Sequence, residues 1–242
     1  MNNNPVSSNV PHDIIYQEHC AVYDRLRTCM DHKGNLLRQF LAIQDPSDQI
    51  VVEFAAGTGR LTSLIAPLAK VVHAFDLASD MVNYAREKFS VYPNVTFDVA
   101  GNHSIPLPGG SADIVVEGWS LGYLAFAGGA AWKSDIDHVL AEMERLLRPG
   151  GSILLFGTLG TGTHRPAAPN KVLAQLYEYL TIEKGFTQSE WFPTDYRFTD
   201  LEEAVELTSF FWSDKFGNYV REHQLVIVPE CTAIWHKTLP LS

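Results

Sequence analysis

The 242-residue chain is 46% hydrophobic and carries a formal net charge of -10. That is apolar material for one full core, so a single domain is expected, and the negative balance disfavours a nucleic-acid partner, whose phosphates call for clustered Lys and Arg. Cys20, Cys29 and Cys231 have no CxxC spacing, which argues against a disulfide framework or a metal site and fits a reducing, cytoplasmic setting.

Residues 1–13, MNNNPVSSNVPHD, lack the basic start and apolar run of a targeting signal and read as a flexible tail. From 14 to 41 the apolar spacing predicts helix in two pieces, divided near Lys33-Gly34 and broken at Asp45-Pro46. Strands are expected at 50–54, 71–75, 95–99, 113–117 and 152–157, and helices between them at 61–68, 80–89 and 132–147. The last helix is the clearest: Trp132, Ile136, Val139, Leu140, Met143, Leu146 and Leu147 share one face, and Pro149-Gly150-Gly151 ends it. The uncharged run at 118–132 is too short and glycine-rich to cross a bilayer, so a soluble protein without a membrane partner is expected. Alternating strand and helix implies a parallel sheet covered on both faces.

The final third breaks that rhythm. A helix is expected at 171–184, closed by Gly185, then a strand near 191–198, helices across 201–221 and the apolar run LVIVPECTAIW. Two late strands separated by helices can pair antiparallel at the sheet edge.

The chemistry-bearing stretch is VVEFAAGTGR, 51–60. A glycine turn from a first strand into a helix lets backbone N–H groups approach a ligand, although the dinucleotide pattern G-x-G-x-x-G lacks its third glycine here. Asp76, ending the second strand, stands where a carboxylate can accept from ribose hydroxyls.

In order, VVEFAAGTGR, AFDLASDMVNYA, IPLPGGSADIVV and LLRPGGSILL resemble the class I S-adenosylmethionine-dependent methyltransferases over roughly residues 45–160. The resemblance implies an α/β, Rossmann-like seven-stranded sheet with an antiparallel last strand. It implies one domain over 14–242, with 14–44 as a helical lid and 160–222 as substrate-side insertions.

It also implies a site for S-adenosylmethionine, released as S-adenosylhomocysteine. Glu53 and the backbone of Ala55, Gly57 and Gly59 would face its methionine part, Asp76 its ribose, and Leu77 and Met81 its adenine. Asn102 and His103 stand where many members carry an acid near the adenine. Tyr16 and Tyr23 lie on the lid, and Glu117 and Trp119 follow the fourth strand. A methyl in place of the first glycine, at Ala55, is tolerable if φ there stays negative.

Several of these have ordinary readings beside the functional one. Glu117 is a solvated strand end or a group aimed at the acceptor; Met81 belongs equally to a core stripe; Trp119, Tyr123 and Phe126 wall a pocket or plug the core. If the acceptor must lose a proton, Glu117, His164, Tyr123 and His19 are the candidate bases, and proximity without a base is equally open. No tetrapeptide of amide or adenine N-methylation and no Pro-Cys nucleophile is found, which leaves a small-molecule acceptor for a monomer or homodimer. A nicotinamide-dependent oxidoreductase and a non-catalytic scaffold of the same fold are the competing readings.

Overall fold

The computed structural model describes residues 11–241. Its strands are β1, Ile50–Phe54; β2, Val71–Asp76; β3, Val95–Val99; β4, Ala112–Gly118; β5, Leu147–Thr161; β6, Thr187–Gln188; β7, Phe192–Pro193; β8, Tyr196–Arg197; β9, Ile227–Val228; and β10, Glu230–Thr238. Its helices are α1, His12–Glu18; α2, Cys20–Thr28; α3, Asn35–Ile43; α4, Arg60–Ile65; α5, Ser79–Lys88; α6, Leu121–Ala127; α7, Trp132–Leu146; α8, Lys171–Glu178; α9, Leu201–Phe211; and α10, Asp214–Glu222.

Strands β1 and β4 are buried on both faces and mostly apolar, as the middle of the sheet requires. The order is β3-β2-β1-β4-β5-β10-β6, with the first five parallel and β10 antiparallel to β5. Val52, Phe54 and Val115 pack with Ile136, Val139 and Met143 of α7 on one face. Their strand neighbours Val51, Ile114 and Val116 pack with Leu36 and Phe40 of α3 and Leu61 of α4 on the other. The period of two along each strand therefore feeds two cores at once.

The seventh position is split. Both β6 and β7 pair with β10, at Thr187–Gln188 against His236 and Trp235 and at Phe192–Pro193 against Thr232 and Cys231. Between them Ser189 stands in for the ladder, its N–H donating to Ile234 O at 2.8 Å and its hydroxyl accepting from Ile234 N at 3.0 Å. Pro193, which has no N–H to give, fits such an edge. The seven-stranded sheet with one antiparallel member is thus present, and the single strand expected near 191–198 is three short ones.

The N-terminal helical region differs too. It forms three helices, not two, because the chain turns at His19 (φ -125°). Only α3 packs on the sheet; α1 and α2 send Ile15 and Leu26 into a separate cluster with Phe211 of α9, Val220 of α10, Tyr196 and Phe198. This cap draws on both ends of the chain. The tail expected over 1–13 falls, for residues 1–10, outside the described residues, and His12 and Asp13 belong to α1. Strand β5 runs to Thr161, beyond the expected end at Gly157, because β10 pairs with it that far.

Candidate functional site

Carboxyl ends of β1, β2 and β4 meet beneath the cap. After β1 the chain turns through Ala55, Gly57 and Gly59 at φ 48°, 55° and 82°. Gly59 is obligatory, since a Cβ there would overlap the Phe89 ring. The condition of a negative φ at Ala55 is not met: the methyl group occupies a left-handed residue, which costs an L-residue roughly 1–2 kcal/mol. The first glycine of the turn has been replaced without relaxing its backbone.

Asp76 supports that backbone from the next strand. Its Oδ2 accepts from Gly57 N at 2.8 Å and its Oδ1 from Ala78 N at 2.9 Å. Burial pushes its carboxyl above the usual range while these N–H groups pull it back. Each oxygen keeps a second lone pair for a ligand.

Glu53 is 2% exposed and accepts from the Thr62 hydroxyl of α4. Burial pushes it up to about 8. Glu117 is equally enclosed; its Oε1 accepts from Ser120 N and from Leu121 N at 3.2 Å, so it caps α6. Burial raises it to about 7, and the reading of Glu117 as a solvated strand end does not hold. Trp119 follows at φ 64°, a second strained residue at a strand end. Its ring lies 3.3 Å from the Arg60 guanidinium and 5.8 Å from the Phe156 ring.

Three further groups converge here that the sequence reading did not single out. Arg27 of α2 lies over the rings of Tyr23 and Phe211, at 4.8 and 4.2 Å, and donates from Nη1 to Tyr196 Oη at 2.7 Å. Arg60 approaches Met30 Sδ, and burial lowers it to about 10, which leaves it protonated at neutral pH. Glu230, 3% exposed, accepts from Thr158 Oγ1 at 2.6 Å and is raised by burial to about 7. Glu230 in LVIVPECTAIW is, like Glu117 in ADIVVEG, an acid beside an apolar run, and that pattern could have marked it.

The cap closes over the loop. Tyr23 Cε1 lies 3.7 Å from where a Cβ of Gly57 would stand, and Tyr16 meets Tyr23 edge-on at 5.5 Å. The space left among Tyr23, Glu53, Ala55, Thr58, Arg60 and Trp119 is about 20 Å³. That is room for about one water, so a ligand the size of a nucleoside enters only when the walls of the seam part. The larger cleft of about 380 Å³ beside Phe89, Tyr92 and Phe97 shares no lining residue with it.

The other candidates do not line this space. Met81 is 1% exposed and belongs to the core, because its helical stripe with Ala85 faces inward. Leu77 is 75% exposed beside Gly101, and Asn102 approaches Ser120 Oγ at 3.5 Å. His103 is exposed, its ring turned toward His138 on α7. His19, at the break between α1 and α2, meets Phe210 edge-on at 5.7 Å. His164 is exposed beyond β5. Tyr123 lies at the cap's rim, partly exposed and edge-on to His12 at 5.2 Å. Of the late aromatics, Phe186, Phe192, Tyr196 and Phe198 are buried and Trp191 is exposed; Tyr196 alone hydrogen-bonds to Arg27. Among the described residues no group of three His, Cys, Asp or Glu could hold a metal, and no helix is long and apolar enough to cross a membrane.

Comparison with known proteins adds a family to this geometry. Residues 52–155 match the model described as a methyltransferase domain. The malonyl-[acyl-carrier protein] O-methyltransferase of Yersinia pestis is 30% identical over 158 residues, 63% of this chain and 54% of that protein. A ubiquinone/menaquinone biosynthesis C-methyltransferase of Hahella chejuensis is 34% identical over 112 residues, 43% of this chain and 41% of that protein. The chain thus spans about half the length of the curated relatives it matches. In fold it resembles a putative type II methyltransferase from Anaeromyxobacter dehalogenans, with a TM-score of 0.60 at 18% identity over 85% of this chain and 96% of that one. The sheet's strand order, the matching methyltransferase domain at 52–155 and these relatives agree, and the chain resembles the class I S-adenosylmethionine-dependent methyltransferases.

Proposed function

We propose that this chain transfers a methyl group from S-adenosylmethionine to a small-molecule acceptor. The observation that carries this reading is the meeting of Glu53, the Gly57–Gly59 turn and Asp76 under Tyr23, in a seam that a mobile cap can seal. The residues fit the cofactor's chemistry: a buried acid for an ammonium group, a glycine turn where a backbone can be approached closely, and a carboxylate with spare lone pairs for vicinal hydroxyls.

In this reading Glu53 would hold the methionine end, Ala55 and Gly57 would border it, and Asp76 would hold the ribose, with Leu77 and Asn102 beside the adenine. S-adenosylmethionine, when bound, supplies a methyl group on a sulfonium whose leaving group is a neutral thioether. The chain's own task is then alignment and exclusion of water, which Tyr23, Tyr16 and Trp119 perform by walling the seam. Glu117 is the group we assign to any proton that the acceptor loses, because near pH 7 it is populated in both forms. The enclosed seam and the charge of -10 favour a small acceptor over nucleic acid.

Calorimetry and thermal unfolding with S-adenosylmethionine, S-adenosylhomocysteine and NAD test this. Saturation at about 100 times Kd adds ~2.7 kcal/mol, a rise of about 5–10 °C in Tm. Asp76→Ala should weaken S-adenosylhomocysteine at least about tenfold, since a charged acceptor is lost. Stabilisation by NAD alone, or indifference to all three, overturns the reading.

A further inference from the structure

Glu230 opens β10 at the carboxyl end of the parallel strands, and it is tied at every polar atom but one. Its N–H donates to Asp195 Oδ1 at 3.1 Å, its carbonyl accepts from Thr194 N at 2.8 Å, and its Oε1 accepts from the Thr158 hydroxyl at 2.6 Å. Register produces the last contact. Glu230 pairs with Thr161 and Thr232 with Thr158, so β5 carries one more residue than β10 between these pairs, and the shift brings Thr158 to a carboxyl standing two residues before its own partner. Bulges of this kind re-aim side chains beside functional sites. The remaining oxygen, Oε2, is buried without a hydrogen-bond partner among the described residues, in a residue that is 3% exposed. Native proteins pair nearly all such atoms, so a carboxyl fixed at one oxygen and open at the other is prepared for a hydrogen that a ligand brings.

The surroundings decide which hydrogen. Arg27 of the cap and Arg60 of α4 favour the ionised carboxyl from a distance, and among the described residues neither forms a salt bridge with it. From α8 and β8, Tyr177 and Tyr196 face it with phenols that burial and the Glu230 charge push above their usual range, and Glu117 acts on Tyr177 as well. An ammonium group would meet two guanidiniums, and an anionic ligand would meet Glu230 and Glu117. A neutral hydroxyl meets neither penalty, and a hydroxyl donating to a carboxylate makes one of the stronger hydrogen bonds.

We propose that Glu230 selects the methyl acceptor by a neutral hydroxyl group, whose hydrogen its open oxygen receives. The inference rests on the methyltransferase reading and deepens it. The contact lies apart from the donor's: in the order β1-β4-β5-β10 Glu230 stands three strand positions from β1, roughly 14 Å at about 4.8 Å per strand, and neither Glu230 nor Thr158 lines the space beside Glu53 and Ala55.

The test is calorimetric titration of phenol, anisole and benzylamine into wild type and Glu230→Gln, each with and without saturating S-adenosylhomocysteine. Phenol should bind the S-adenosylhomocysteine-saturated wild type at least about tenfold more tightly than anisole or benzylamine. Glu230→Gln, which keeps the shape and removes the charge, should weaken phenol about fivefold while anisole and S-adenosylhomocysteine stay within about twofold. Anisole or benzylamine binding as well as phenol, or none of the three binding, overturns the proposal. So does a variant that weakens anisole as much as phenol, since the carboxyl then only packs, or one that weakens S-adenosylhomocysteine with phenol unchanged, since it then serves the donor. If Glu230→Gln does not fold, Glu230→Asp and the hydroxyl-against-ether contrast on wild type decide. Should S-adenosylhomocysteine fail to bind wild type, the methyltransferase reading falls, and phenol against anisole on the unliganded protein decides the hydroxyl site separately.

Discussion

At Ala55 two opposing terms set the outcome of substitution. Glycine would remove the left-handed strain, roughly 1–2 kcal/mol, and would raise the entropy of the unfolded chain by roughly 0.4–1 kcal/mol. Ala55→Gly should therefore stabilise the protein by about 0.5 kcal/mol, a gain of about 1–2 °C in Tm. Ala55→Val should destabilise it, because a β-branched residue tolerates φ 48° less well than alanine does. Urea unfolding of both variants checks the signs, and equal effects would show that backbone strain is not what the methyl group meets. Nothing in VVEFAAGTGR announces this angle. The residue type argued for a negative φ, whereas the Asp76 bond to Gly57 N and the Ala56 N–H bond to Phe75 O at 2.9 Å constrain the turn.

Among the elements, α1 and α2 are the ones we expect to move. They have 7 and 9 residues, too short to be stable alone, and they pack on α9 and α10 rather than on the sheet. Asp24 ties α2 to α5 by accepting from Lys88 at 2.7 Å and from the Tyr84 hydroxyl at 3.3 Å, while Lys88 also reaches Thr58 O at 3.3 Å. Parting the cap from α5 breaks the two contacts to Asp24 and leaves both sheet cores intact. Amide hydrogen exchange should accordingly show α1–α2 opening more readily than α3, and S-adenosylhomocysteine should slow residues 12–28 more than 35–43. Equal protection of both segments would mean that the cap does not move as a unit. The existence of a helical N-terminal region was legible from periodicity; its division at His19 was not, since the packing of α2 on α9 is set by residues about 180 positions away, such as Arg25 with Glu203 and Glu206.

Across the whole molecule, the site is the seam where the two sheet cores meet the cap core, and its burial imposes a pH signature. Glu53, Glu117 and Glu230 all have folded-state pKa values raised above 4.5, to about 8, 7 and 7. Between the unfolded and folded values the native state holds more protons than the unfolded chain, so this contribution is complete below about pH 4.5 and is lost as pH rises through about 7–8. His12, His73 and His236 are lowered by burial and act in the opposite direction below 6.5. Glu230→Gln isolates one carboxyl: the stability of wild type relative to this variant should fall from pH 5 to pH 8 in urea unfolding. A difference that stays constant, or rises, would show that Glu230 ionises freely in the fold.

Local pattern and composition determined the strand–helix alternation, the glycine turn after β1 and the acids at 53, 76 and 117, because periodicity of two or 3.6 and turn chemistry are properties of neighbouring residues; the order of four motifs carried the family resemblance. Tertiary structure alone decided that Arg27, Arg60, Tyr196 and Glu230 share one seam, that His103, His19 and His164 do not face it, and that the sheet's edge position is split between β6 and β7. Those outcomes depend on which distant segments exclude water together, and burial of that kind, which shifts a carboxyl to about 7 and leaves the Nε of Arg27 without a partner, is not written in the residues on either side of it.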